Sequence, residues 1–324
     1  MLPLAETLRQ WEEQQIVTPQ QHQQLHDYER QRPVSLYWLL RTLLSVGLLA
    51  FTTGAGMLIY EHIDTIGHEV LIAVLAVLTA ACFYYTYRYS APFSTQLTQN
   101  EGKFADIALL LGCTLFLSLE GYVQWRYAVF GTRYGLATVI PAVLFLFCAY
   151  RFDHRGVLSM GLTALASWVG LTVAPLELFA SNDFSDPSLI YTAVIFSLAV
   201  LGLSVFLEKQ HIKPHFSFTY FLLVGNLLFV SALAGLFTDA YWYIFALLVL
   251  GAAWFFFRHA QRTQSFVFLL MAVVYSYICL TYLAFKILPE ESLIFLVPFY
   301  FMASAGGVVW FIISYKKLLK NSAL

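Results

Sequence analysis

From residue 37 onward the chain alternates between long apolar stretches and short polar breaks. A helix that crosses a bilayer needs about 20 mainly apolar residues, within a range of about 17 to 25. Ten stretches have that length: residues 37–60, 68–87, 104–125, 134–150, 156–175, 188–207, 216–236, 241–257, 264–285 and 292–315. The pattern predicts an all-α fold, a polytopic membrane helix bundle of about ten transmembrane helices within a membrane domain of residues 34–324.

Residues 1–33 follow a different rule. Leu4, Leu8 and Trp11 recur on one helical face, while Glu6, Arg9, Glu12 and Glu13 leave the other face polar. A second helix is signalled by Thr18 as N-cap, Pro19 at the first helical position and Gln21 three residues after the cap, the spacing of a capping box. Leu25 and Tyr28 would face the first helix, and Pro33 separates this hairpin from the first span. So small a unit cannot bury enough surface to be stable alone. Residues 1–32 are therefore expected to pack on the membrane domain, on a second copy or on a cytoplasmic protein partner. Neither a basic region leading into a short apolar stretch nor a small-residue cleavage site is present, so no cleaved signal peptide is expected.

Charge orients the spans. With the N-terminus inside, fifteen of the eighteen Lys and Arg residues fall in cytoplasmic segments, and only Arg126, Arg133 and Lys286 lie outside. Short loops rich in Lys and Arg stay in the cytoplasm, which predicts that both termini are cytoplasmic. Most inner loops carry one basic pair, as topology markers would. Rings support the boundaries, since Tyr and Trp settle at the headgroups: Tyr84, Tyr85, Tyr87 and Tyr89 close the second span, and Tyr241, Trp242 and Tyr243 open the eighth.

Composition agrees, with 60% hydrophobic residues, 11% charged residues and a mean hydropathy of +0.70. The lipid bilayer is the expected surrounding. A net charge of -1 supplies no global basic field, so nucleic-acid binding is not expected. Cys82, Cys113, Cys148 and Cys279 all fall in apolar stretches without paired spacing, as small buried hydrophobes would. His22 and His26 stand four apart but bring no third metal ligand.

Candidate chemistry is sparse. No ionisable residue occupies the centre of a span, which disfavours charge translocation but leaves a neutral or amphipathic solute open. Asn226 is the most central strongly polar residue, read first as a bridge between helices and second as a substrate contact. Small residues four apart, among them Ala76 and Ala80, Ala166 and Gly170, and Ala303 and Gly307, predict close helix packing. Pro141 and Pro298 within spans would each free a carbonyl and kink the helix. The one mixed external constellation is Glu120, Tyr122, Gln124, Trp125, Arg126 and Arg133, suited to a zwitterionic headgroup, a salt bridge or interfacial anchoring. Glu61, His62, Asp64, His68 and Glu69 form a second outer cluster without metal-ligand order. There is no nucleophile motif, no intramembrane carboxylate pair and no zinc-protease sequence. No catalytic, cofactor-binding or metal-binding residue is assigned, and no cofactor is expected.

The order of features, a Leu/Trp helix, then "IVTPQQHQQL", a tyrosine, and a first span "LLSVGLLAFTTGAGMLIYEHID", resembles the bacterial membrane-protein family DUF2157, a domain of unknown function. "SLEGY" around Glu120 and Tyr122 and the stretch from Ile140 to Leu171 are also similar to it. The resemblance covers about residues 4 to 175. It implies an N-terminal helical hairpin and the inner, plasma membrane of a bacterium, and brings no activity. At Glu120 the family more usually has Gln, and at Glu61 and His62 an Asn-Trp pair, so a polar site is not carried over. Three readings remain, in this order: a non-enzymatic scaffold or sensor with a partner-binding hairpin, a transporter of a neutral or lipid-like solute, and a membrane enzyme acting on lipid or envelope sugar at the outer face. The oligomeric state is left open.

Overall fold

The computed structural model describes residues 67–97, 104–131, 135–173, 186–238, 241–287 and 290–320, together with isolated positions between 17 and 50. The chain divides into two units, Met1–Val70 and Leu71–Leu324. In the first unit the expected capping box is present. Gln21 N–H donates to Thr18 Oγ1 at 3.4 Å, and Thr18 N–H donates back to Gln21 Oε1 at 3.0 Å. Leu43, Val46, Gly47 and Ala50 are helical. The rest of the span at 37–60 lies outside the described residues, as do His22, His26, Glu61, His62, Asp64 and most of the hairpin.

From His68 onward every regular element among the described residues is helical: α1 His68–Tyr89, α2 Ala105–Tyr127, α3 Leu136–Phe152, α4 Arg155–Val173, α5 Pro187–Lys209, a 3-10 turn Pro214–Phe216, α6 Ser217–Thr238, α7 Trp242–Thr263, α8 Phe266–Ile287 and α9 Glu290–Lys320. In hydrocarbon each backbone N–H and C=O must find its partner inside the segment, which selects helices. Eight of the nine are long and apolar enough to cross a membrane, and α3, at 17 residues, is shorter. Pro141 and Pro298 sit inside helices that continue past them. The largest departure from the apolar pattern is α7, which runs on through Arg258, His259 and Arg262. Arg258 lies 4.7 Å from the Trp254 ring and His259 stacks on Phe221 at 4.3 Å, so the polar turns are held by rings.

Helix α6 is the hub of the core. Tyr220, Phe221, Val224, Leu228, Phe229, Ala232, Leu233 and Leu236 are all buried, and α6 packs against α4, α5, α7 and α8. The tightest neighbours in sequence are α3 with α4, α5 with α6, and α7 with α8. By contrast α9 is largely exposed, with Phe311 and Leu319 its buried side chains among the described residues. Close approach is achieved by glycines outside the small-residue pairs read from the sequence. A Cβ on Gly161 would meet the Leu146 backbone nitrogen at 3.0 Å, and one on Gly235 would fall 2.5 to 2.6 Å from the Phe245 ring. Ala303 and Gly307 are exposed, and Gly307 has nothing within 4 Å of its Cβ position. Ala166 and Gly170 line an opening instead of a contact. A small residue permits close packing but does not compel it; the bulk of the facing side chains decides.

Since Phe245 is only 3% exposed, it has no free space into which to retreat from a methyl group at Gly235. Gly235→Ala should lower stability by about 1–3 kcal/mol, the usual cost of overpacking. Gly202→Ala, where nothing lies within 4 Å, should not. Thermal unfolding in detergent micelles reads the difference, and equal midpoints for the two variants would contradict this packing.

Candidate functional site

The mixed cluster lies on the last two turns of α2, at the bundle end that carries the α2–α3 turn. Glu120 follows Phe116 by one helical turn on the same face, and Phe116 packs edge-on against Phe145 of α3 at 6.2 Å. The Glu120 carboxylate is consequently turned inward, with both oxygens shielded and without a hydrogen-bond partner. Arg126, six residues further, is rotated to another face, where its guanidinium lies 5.6 Å from the Tyr127 ring. Tyr122 and Trp125 meet at 5.7 Å, with Trp125 72% exposed as an interfacial ring would be. Gln124 serves the local backbone: its Oε1 accepts from Phe130 N–H at 2.9 Å and its carbonyl from Ala128 N–H at 2.8 Å. The helix thus distributes these side chains around its circumference. Arg133 lies outside the described residues, and His68 and Glu69 of the second outer cluster open α1.

Asn226 bridges two helices. Its Oδ1 accepts from Tyr275 OH of α8 at 2.7 Å, and its Nδ2 donates to Leu222 O at 2.6 Å with Met271 Sδ 3.7 Å away. Tyr275 also stacks on Phe229 at 4.5 Å, so amide and ring lock α6 to α8 together.

Further along α6 the bundle leaves a cavity of about 580 Å³. It is walled by Thr138 of α3, by Ala166, Ser167 and Val169 to Leu171 of α4, by Leu189, Ile190, Thr192, Ala193 and Phe196 of α5, and by Leu227, Val230, Ser231 and Ala234 of α6. Asn226 is not among the described lining residues, and neither is any ionisable side chain. The four hydroxyls in the wall donate to their own helices: Thr138 to Gly135 O at 3.0 Å, Ser167 to Thr163 O at 2.9 Å, Thr192 to Ser188 O at 2.7 Å and Ser231 to Leu227 O at 2.8 Å. The wall is therefore apolar in effect, and exposed Ser167 and Val230 mark where it opens.

At the other bundle end a buried charge cluster was not legible in the sequence. Lys213, read as one of a pair of topology markers, is 2% exposed. Its ammonium stands 3.2 Å from Asp153 Oδ1 without hydrogen-bond geometry, so the attraction is Coulombic, and His215 Nε2 pairs with the same oxygen. The ammonium also lies 5.4 Å from the Phe93 ring and 5.7 Å from the Phe216 ring. Lys213 N–H donates to Thr95 O at 2.8 Å, and Arg151 donates to Ala91 O at 3.0 Å. The α1–α2 linker, the α3–α4 turn and the α5–α6 loop are thereby tied to one another. Asp153 and Lys213 hold left-handed backbone at φ 59° and 45°, conformations that a side chain rarely adopts unless its surroundings fix it. Beside them His154 caps α4, its Nδ1 accepting from Val157 N–H at 3.2 Å.

Cys113, Cys148 and Cys279 are buried and Cys82 is partly so, all as free thiols. Among the described residues no group of three His, Cys, Asp or Glu side chains is placed to hold a metal ion.

Two predictions follow from the charged end. Asp153→Asn tolerates the left-handed backbone but strands a buried ammonium, and should cost about 3–5 kcal/mol. Adding Lys213→Met should recover most of that loss, as read by unfolding midpoints; no recovery would refute the pairing. The second concerns pH. Burial pushes the His154 imidazole below its usual value of 6.5, with the nearby Asp106 carboxylate partly opposing. As pH falls through that value the unfolded chain takes up the proton more readily than the folded one, so stability should decline on acidification. His154→Asn keeps a capping oxygen and should flatten the decline in midpoint-against-pH curves, and an unchanged slope would count against the cap.

No curated protein and no solved structure matches the chain. One family does, over a stretch that includes α1, α2 and α3. Residues 9–158 match DUF2157, described as a predicted membrane protein, and the resemblance read from the sequence holds over that stretch.

Proposed function

We propose that the chain is a ten-span protein of a bacterial inner membrane with both termini in the cytoplasm, and that its membrane domain, residues 34–324, holds a neutral, lipid-like solute between α3, α4, α5 and α6. The fifteen-to-three split of basic residues supports the orientation. It places the α2–α3 turn outside and the Asp153–Lys213 cluster inside.

The cavity carries the functional reading. The cavity, about 580 Å³, is open to the bilayer at its rim, and left unfilled its apolar wall would lose the dispersion contacts that hydrocarbon supplies. Something fills it. Water is a poor filler because the wall offers no free hydroxyl hydrogen and no charge. The volume falls within the ~300–1,000 Å³ usual for small-molecule sites. Transport or sensing of a lipid-like solute therefore moves ahead of a plain scaffold, and among the described residues no converging side chains support the enzymatic reading.

A second reading concerns residues 1–33 as a cytoplasmic hairpin that binds a protein partner. The reciprocal Thr18–Gln21 cap favours a helix beginning where the sequence places it. If crosslinking and pull-down recover the same partners from a chain lacking residues 1–32, that reading falls.

For the cavity, native mass spectrometry of the detergent-released protein should find a retained apolar species. Ala193→Phe, which fills the wall, should lose it, while Ile195→Phe, on the exposed side of the same helix, should keep it. Equal retention by both variants, at matched unfolding midpoints, would refute the site.

A further inference from the structure

The cavity runs along the bundle rather than across it. With a rise of about 1.5 Å per residue, Thr138 lies roughly 3 Å below the start of α3, Phe196 about 13 Å below the start of α5, and Leu227 about 16 Å below the end of α6. All three distances run inward from the bundle end that carries the α2–α3 turn. The lining residues therefore extend over roughly the ~15 Å that one leaflet contributes to a hydrocarbon core of about 30 Å. Nothing in the wall changes character with depth: Leu189, Ile190, Ala193 and Phe196 continue the same apolar surface down α5.

We infer that the cavity is a binding site for the hydrocarbon tail of an outer-leaflet lipid, with the polar head at the Thr138 end and the tail's terminal methyl at Phe196 and Leu227. This rests on the reading of the cavity as a lipid-like site and adds the class of occupant and its direction. Three features favour a tail over a compact apolar molecule. The first is the match between the depth of the lining and one leaflet. The second is an uncharged wall whose hydroxyl hydrogens are all committed to backbone, which suits a chain that needs no polar partner below its head. The third is the exposure of Ser167 and Val230 on the rim, so that the cavity communicates with the bilayer from which a tail would enter. Ala166, Gly170, Ala193 and Ala234 supply the width: a larger side chain at any of them projects into the space the tail needs.

Depth-resolved photolabelling tests the direction as well as the site. The full-length protein is reconstituted in vesicles of phosphatidylethanolamine and phosphatidylglycerol containing phosphatidylcholine with a diazirine either next to the acyl carbonyl or at the terminal methyl. Labelled peptides are then identified by mass spectrometry. The carbonyl-side probe should label residues near Thr138, and the methyl-end probe residues near Phe196 and Leu227. Ala193→Phe should reduce the methyl-end labelling roughly tenfold, equivalent to about 1.4 kcal/mol of binding. Ile195→Phe, with an unfolding midpoint matching Ala193→Phe, should leave it unchanged. If the cavity is labelled by both probes without depth order, the tail inference falls while the lipid-like site stands. If only the outward surfaces of α4 and α5 are labelled, equally in both variants, the lipid is annular and both fail.

Discussion

The apolar helices of this molecule answer to one constraint: in hydrocarbon a backbone amide that is not bonded within its own segment costs several kcal/mol. That requirement makes each long apolar stretch a helix and places the departures from helical geometry at the ends. It also removes the force that usually selects which face packs inward, because lipid tails are as apolar as leucine side chains. What remains is shape, a few hydrogen bonds and a small number of charges kept near the ends. The structure uses all three. Rings and glycines fit α6 against α7, Gly161 fits α4 against α3, Asn226 and Tyr275 tie α6 to α8, and Asp153 with Lys213 binds the loops at one end.

Apolar length was therefore enough to locate the helices from α1 to α9, and the capping chemistry of Thr18 and Gln21 was enough to locate a helix start. Length says nothing about neighbours, and the failures lie there. Lys213 has the local sequence of an ordinary loop cation; it is Asp153 of the α3–α4 turn and Phe93 of the α1–α2 linker, both distant in sequence, that meet its ammonium together with Phe216. Ala166 and Gly170 have the spacing of a close helix contact, yet the opposing residues do not advance to meet them and a cavity results. The helix α7 runs on past the apolar stretch, which stops at Phe257, because helix-forming residues continue to Thr263, where rings support them.

The candidate site shows the same division. The residues at the end of α2 were conspicuous for their chemical variety, but a helix sends positions 120 and 126 to different faces, and the geometry gives Glu120 a shielded carboxylate apart from Arg126. Asn226 was conspicuous for its polarity and is engaged between helices. The cavity was invisible because its wall consists of residues that any membrane helix contains. Its signal was the cluster of small side chains in the halves of α4, α5 and α6 nearer the α2–α3 turn, and only the packing separates that signal from a helix contact.

The central claim is that α3 to α6 keep a space for an apolar occupant. Cryo-electron microscopy of the protein in a lipid nanodisc tests it most directly. The account predicts an open space between α4 and α6 with elongated density running inward from Thr138 toward Leu227 and Phe196. A bundle in which Ala166 and Gly170 close directly onto Ala193 and Ala234, with no space and no density between them, would contradict it.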